Sequence, residues 1–341
     1  MSESAVATQQ NRTTKGAGVT VKTCRGRTGG IAALAVALLA TAGLALAQTD
    51  TTRMIVPFAA GGPADQIARV VAPALAAQLG KPVIIENRGG AGGVIGVTAA
   101  VNAAPNGSTL LLTTSSLVIT AGITPNLAYD PRRDLEPVYL LGEVQTMLAV
   151  RNSLGVRSLA ELIEKARQPQ RLNYGSTGVG GTMHIGAELF SKAANVPMVH
   201  IPYKGAAPAL VDLMAGTIDL VNADVPVLRG YIKDGRLTPI VIYDTRRSAQ
   251  LPDVPTAVEA GMPALQMSNW YGVLAPAGTP AEVLRNIEAA FGRVLAQPEI
   301  SSRLTEAGFV NPRNAAGFKT KLAGDFERWL PWLKSANIRA D

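Results

Sequence analysis

A strand that runs through a glycine turn into a helix is the pattern that most limits what this chain can build, and residues 53–79 carry it. Arg53-Met54-Ile55-Val56-Pro57-Phe58 is a short apolar run, Ala59-Ala60-Gly61-Gly62 breaks it, and Pro63 stands where a first helical residue stands. Ile67, Val70, Val71, Ala74 and Leu75 then recur at helical spacing on one face. Pro73 inside that helix predicts a kink. With Gly62 as the cap, the backbone N–H groups of Ala64 and Asp65 find no acceptor within the helix, and glycines let a ligand approach them closely. Such an end suits an anion. Taken alone, it is equally an ordinary turn of an α/β domain.

The pattern returns. Pro82–Asn87 reads as a second strand, followed by the glycine-rich turn 88–93 and a helix of small residues over 94–104. Thr109–Thr114 is a third strand, ending at Ser115 and Ser116. Leu135–Val150 reads as a long extended segment that crosses to a second lobe. There, Leu172-Asn173-Tyr174 leads into the turn 175–181 and a helix from Thr182. Ser158, with Glu161 three residues on, starts a helix as a capping box. Strands alternating with helices predict an α/β fold whose mostly parallel sheets carry helices on both faces, with ligands collecting at the C-terminal strand ends. Ser268–Leu274 reads as a return to the first lobe, completed by three helices. The expected division is a leader over 1–47, lobe one over 48–150 plus 268–341, and lobe two over 151–267.

The leader rests on Lys15, Lys22, Arg25 and Arg27 before the 16-residue apolar run Ile31–Leu46, with Ala45-Leu46-Ala47 as a small-x-small cleavage site. A cleaved secretory signal is expected; an uncleaved anchor, or a start codon placed too early, stays open. Removing the leader takes five basic residues and one acidic one, so the net charge of +7 falls to +3. No Lys/Arg block remains to recruit nucleic acid. The sole cysteine, Cys24, lies in the leader, which leaves neither disulfide nor thiolate chemistry.

Reactive motifs are sparse. Neither glycine turn holds GK[ST], neither keeps the G-x-G-x-x-G spacing, and there is no H-E-x-x-H. No metal site and no cofactor are expected. Ser176, His184 and Asp224 can be drawn as a triad, although Gly175-Ser176 lacks the residue that a G-x-S-x-G elbow requires. His200, in an apolar strand, reads as a core histidine. Asp65 reads first as a brace for its own helix end.

The blocks Pro57–Asp65, Ile84–Gly93, Ala104–Gly107, Leu172–Ser176, His200–Gly205, Leu251–Thr256 and Trp270–Pro280 resemble, in that order, the signature of the tripartite tricarboxylate transporter substrate-binding family, also called Bug proteins. The resemblance spans nearly all of the chain after the leader. It implies a periplasmic, two-lobed binding protein of the Venus-flytrap kind, type II. It also implies two loops that act as pincers on a ligand carboxylate, with backbone N–H groups, hydroxyls and ordered water. Carried onto this chain, the first pincer is Phe58, Gly61, Gly62, Pro63, Ala64 and Asp65; the second is Ser176, Thr177, Gly178, Thr182 and His184. Ser115 and Ser116 border the cleft, and Asp224 is placed at the far end of the ligand. The segment 222–226 departs from the family's Phe-Asp-Asn pattern.

The expectation is a monomeric, non-catalytic binder of a small carboxylate that serves transporter membrane subunits or a sensor kinase. Few aromatic residues besides Phe58, Tyr174, Trp270 and Tyr271 are placed to reach the cleft, which favours aliphatic ligands. A secreted hydrolase using Ser176 and His184, and a scaffold with an empty cleft, are the other readings.

Overall fold

The computed structural model describes residues 51–340, and the expected leader lies outside them. Its elements in chain order begin with β1 (Thr52–Val56), α1 (Pro63–Leu79), β2 (Val83–Asn87), α2 (Val94–Val101), β3 (Thr109–Thr114) and α3 (Ser116–Ile123). The short helix α4 (Pro131–Asp134), the long strand β4 (Leu135–Arg151), α5 (Leu159–Ala166), β5 (Leu172–Ser176) and α6 (Thr182–Ala194) follow. Next come β6 (Met198–Pro202), α7 (Ala206–Ala215), β7 (Leu220–Asp224), α8 (Val225–Lys233) and β8 (Leu237–Ile242). The chain ends with β9 (Ser268–Pro276), α9 (Ala281–Leu295), α10 (Pro298–Glu306), β10 (Arg313–Asn314) and α11 (Ala315–Ser335).

Ten strands join in the order β2-β1-β3-β9-β4-β7-β5-β6, with β8 and β10 paired to β4 beside that path. The strands β2, β1 and β3 are parallel, as are β6, β5 and β7. Between these groups the two crossing strands β4 and β9 run antiparallel to their neighbours. The parallel layout expected from the alternation is therefore confined to the two outer groups. β4 pairs with β9 as far as Gln145↔Ser268 and changes partner one residue later, at Thr146↔Asp224. One strand thus serves two sheet regions.

Packing follows the patterning. β3 is buried along its whole length, as a central strand with both faces covered must be. α1 buries Ala64, Ile67, Ala68, Val71, Ala72 and Leu75 and runs unbroken through Pro73, which lies on its exposed face. One apolar cluster extends from Ile55 and Leu111 through Leu148 and Trp270 to Tyr174 and Phe190, so it joins both sheet regions. Each region has a second cluster on its other side, around Val71, Leu112 and Phe291 in one and Leu213, Val221 and Leu228 in the other.

Two local differences bear on the site. Gly175 and Ser176 belong to β5 and do not start a turn; a Cβ on Gly175 would stand 2.4 Å from Ile218 Cδ1. α3 follows directly on Ser115, where the sequence pattern had marked no helix. Among the described residues, no helix is long and apolar enough to cross a membrane.

Candidate functional site

The first turn leaves β1 at Val56. Gly61 takes φ +79°, a left-handed backbone that glycine adopts without strain, and Gly62 caps α1 without a side-chain hydrogen bond. Because Pro63 has no N–H, the first donors of this helix end are Ala64 and Asp65, and both residues are buried. Asp65 turns its carboxylate back over the turn: Oδ2 accepts from the Gly61 N–H at 2.9 Å and from Arg69 Nε at 2.9 Å. Burial alone would raise its pKa, but hydrogen bonds from Arg69, Gly61 and Asn87 outweigh burial and hold it below the usual carboxylate range. Asn87 Nδ2 also donates to the Phe58 carbonyl at 3.2 Å. Phe58 itself is half-buried, packed against the cluster around Val71.

The second turn leaves β5 at Ser176, whose side chain is completely buried. Its Oγ accepts the Gly178 N–H at 3.1 Å, lies 3.2 Å from the Gly178 carbonyl and 2.6 Å from His200 Nε2. Gly178 and Gly180 take φ of +109° and +80°. The Gly180 N–H donates to His184 Nδ1 at 3.3 Å. Gly181 then caps α6, again without a side-chain hydrogen bond, and the orphan donors are Thr182, Met183 and His184. Thr182 is half-buried, and Met183 and His184 are buried. The two imidazoles stack at 4.3 Å, and Tyr174 lies 4.9 Å from the His200 ring. Burial pushes both histidines down to about 4, His200 being further lowered by its neighbour His184.

This geometry corrects two expectations. His200 is not a plain core residue but the partner of Ser176. His184 instead receives the Gly180 N–H, so the serine–histidine pair drawn from sequence is not the one the chain forms. Asp224 is likewise engaged elsewhere. Its Oδ2 accepts from Tyr271 Oη at 2.7 Å and Asn269 Nδ2 at 3.0 Å, while Ser115 Oγ donates to Asn269 Oδ1 at 2.8 Å. Burial raises Asp224 to about 6, against the lowering effect of those two donors. Ser116 is buried and shares a hydrogen bond with Thr114 at 3.0 Å. The three members of the paper triad therefore each have other partners. The relation between Ser176 and His200 carried no sequence signal beyond two strands that could lie side by side.

The two turns converge on a third. A Cβ on Gly89 would lie 3.2 Å from the Ala59 nitrogen, and one on Gly92 would lie 2.9 Å from the Val179 carbonyl oxygen. Segment 88–93 thus touches the first turn at one end and the second at the other. A Cβ on Gly180 would meet Ile123 Cδ1 of α3 at 2.8 Å. Two cavities, of about 310 and 280 Å³, open elsewhere on the molecule and are lined by no residue of either turn. Among the described residues, no three His, Cys, Asp or Glu side chains gather as a metal site.

Comparison with known proteins identifies the family and the fold. The profile of the tripartite tricarboxylate transporter family receptors matches residues 67–337. The structure of the periplasmic binding protein BugD is similar, with a TM-score of 0.79 and 29% identity, covering 85% of this chain and 99% of BugD. MatC from Rhodopseudomonas palustris, solved with bound malate, is 32% identical with a TM-score of 0.78, over 82% of this chain and 98% of MatC. Another R. palustris protein, solved with adipate, is 30% identical with a TM-score of 0.79, over 85% of this chain and 98% of its own. The fold is that of the two-lobed periplasmic binding proteins. The chain belongs to the tripartite tricarboxylate transporter receptor family, a family of solute-binding receptors that includes the Bug proteins.

Proposed function

We propose that this protein is a non-catalytic periplasmic receptor that encloses a small aliphatic carboxylate between two lobes, residues 48–150 with 268–341 and residues 151–267. It hands the ligand to the membrane subunits of a tripartite transporter or presents it to a sensor. The observation that carries this reading is the pair of helix N-termini at α1 and α6. Both are capped by a glycine that supplies no side-chain acceptor, and both have buried residues in their first turn. A buried helix end without partners calls for an external acceptor. Each end favours an anion by about 0.3–1 kcal/mol, more where it is shielded from water. Malate and adipate, with which two similar structures were solved, have the carboxylate chemistry such ends accept.

Phe58, Gly61–Asp65, Ser176–Gly178, Thr182 and His184 form the lips, with Ser115, Ser116 and Asp224 behind them. Asp65 serves as a brace, since its carboxylate already holds Gly61 and Arg69. Closure is driven by the ligand's preference for the closed arrangement.

Titration calorimetry of the secreted form against malate, adipate and citrate, with mass spectrometry of the ligand afterwards, tests the proposal. Saturable binding of an acid recovered intact is the expected result. Binding of none of the acids, or recovery of a cleaved product, would overturn it.

A further inference from the structure

We infer that His200, which lies outside both turns, is a positioning residue of the second one: through Ser176 and His184 it sets the path of residues 177–181 and thereby aims the N-terminus of α6 at the ligand. The inference rests on the carboxylate reading of that turn and adds the device that shapes it.

Register creates the cluster. β5 and β6 are parallel with Tyr174↔His200 opposite one another, and the two-residue period of a strand puts Ser176 on the same face as Tyr174. His200 therefore lies against Tyr174 and reaches along the strand to Ser176 Oγ, 2.6 Å away. His184 comes down from the first turn of α6 to stack against the same ring at 4.3 Å, its own ring 6.1 Å from that of Tyr174, so the three rings form one cluster. The turn itself has little to fix it, because Gly178 and Gly180 both sit at positive φ and glycine loses more freedom on ordering than any other residue. Each of these glycines gives its N–H to a side chain that His200 touches. Gly178 donates to Ser176 Oγ at 3.1 Å, and Gly180 to His184 Nδ1 at 3.3 Å.

The second bond also assigns a tautomer. Nδ1 of His184 accepts, so in the neutral ring the proton resides on Nε2. Protonating Nδ1 would expel the Gly180 N–H. The groups facing the His200 ring are Tyr174, Ser176 and His184, with Glu188 behind Tyr174, whose hydroxyl donates to its carboxylate at 2.6 Å. Glu188 favours a charged His200, while burial and His184 oppose it, and the neutral state prevails. A donor array fixed before the ligand arrives avoids the entropy of ordering a glycine loop at the moment of binding.

The test compares wild type with His200→Phe, which keeps a ring but loses Nε2, His200→Gln, whose amide reaches as far as Nε2, and Ser176→Ala. Two quantities are read: amide hydrogen exchange at Gly178 and Gly180 in ligand-free protein, and calorimetric affinity for a panel of mono-, di- and tricarboxylates. In His200→Phe and Ser176→Ala, exchange at Gly178 should quicken and affinity should fall, each by about tenfold, with Ala64 and Asp65 amides unchanged. His200→Gln should restore most of both. Wild-type exchange and affinity in His200→Phe, or a glutamine variant no better than phenylalanine, would overturn the inference. Should His200→Phe fail to fold, His200→Asn, whose shorter amide falls short of Ser176 Oγ, takes its place, and Ser176→Ala, which removes the acceptor of the Gly178 N–H itself, gives the reference for complete loss. The two levels separate cleanly: a wild type that binds no acid overturns the carboxylate reading, whereas Gly178 exchange indifferent to His200 overturns this one.

Discussion

Gly178 shows what a single position contributes to this site. A Cβ there would meet nothing within 4 Å, yet φ is +109°, where L side chains are strained. Gly178→Val should therefore cost about 1–3 kcal/mol of local strain without any clash, seen as a loss of carboxylate affinity larger than the loss of melting temperature. Asp224 offers a pH-dependent test. Its folded-state pKa of about 6 lies above the ordinary 3.8, so its contribution is most favourable at acid pH and is lost as pH rises through that interval. Asp224→Asn should raise stability at pH 7.5 by roughly 1–3 kcal/mol and change little near pH 4. His184 and His200 act in the opposite sense. Their values near 4 lie below the ordinary 6.5, so stability is fully present above 6.5 and falls as the pH drops toward 4. Thermal melts of the Asp224→Asn variant across that range should show this acid limb alone. Asp65 as a brace was legible from its place three residues after a glycine cap. The role of His200 was not, because it depends on which strand lies beside β5, and periodicity carries no information about strand neighbours.

Helix α1 begins and ends where proline, glycine and apolar spacing place it, because each signal is local: Pro63 at the first position, Gly80 in the left-handed conformation at the end. Pro73 lies on its exposed face and deprives the helix of one hydrogen bond, so Pro73→Ala should stabilise the fold by about 1–3 kcal/mol in urea denaturation. An unchanged midpoint would mean that the proline's restriction of the unfolded chain compensates. Helix α3 escaped the sequence reading for a physical reason. Leu117, Val118, Ile119 and Ile123 are all buried, and Gly122 lets α11 approach so closely that a Cβ would stand 2.7 Å from Leu333 Cδ1. A helix buried over most of its surface, six of its eight residues here, shows little amphipathic period. The turn 88–93 gives the element-scale test of how the lips meet. Gly92→Ala would set a methyl group 2.9 Å from the Val179 carbonyl at φ +64°, and affinity should fall by about tenfold while the separate cores stay intact. Calorimetry together with unchanged far-ultraviolet circular dichroism would establish it.

At the scale of the whole molecule, the two parallel groups are held together by β4 and β9, and the apolar cluster that joins them makes the junction a packed element rather than a loose linker. The alternation of strands and helices revealed two glycine-lipped units, but not the antiparallel crossing, because the direction of a return strand depends on where its partners already lie. In the receptor proposed above, one ligand engages both helix ends at once. The most direct measurement is the set of backbone amide chemical shifts of Ala64, Asp65, Thr182, Met183 and His184, followed by nuclear magnetic resonance as the tightest-binding acid of a carboxylate panel is added. Both groups should move together and saturate at one ligand per protein, with slowed amide exchange at both ends. Shifts confined to one helix end, or saturation of an acid that leaves both ends unmoved, would contradict it.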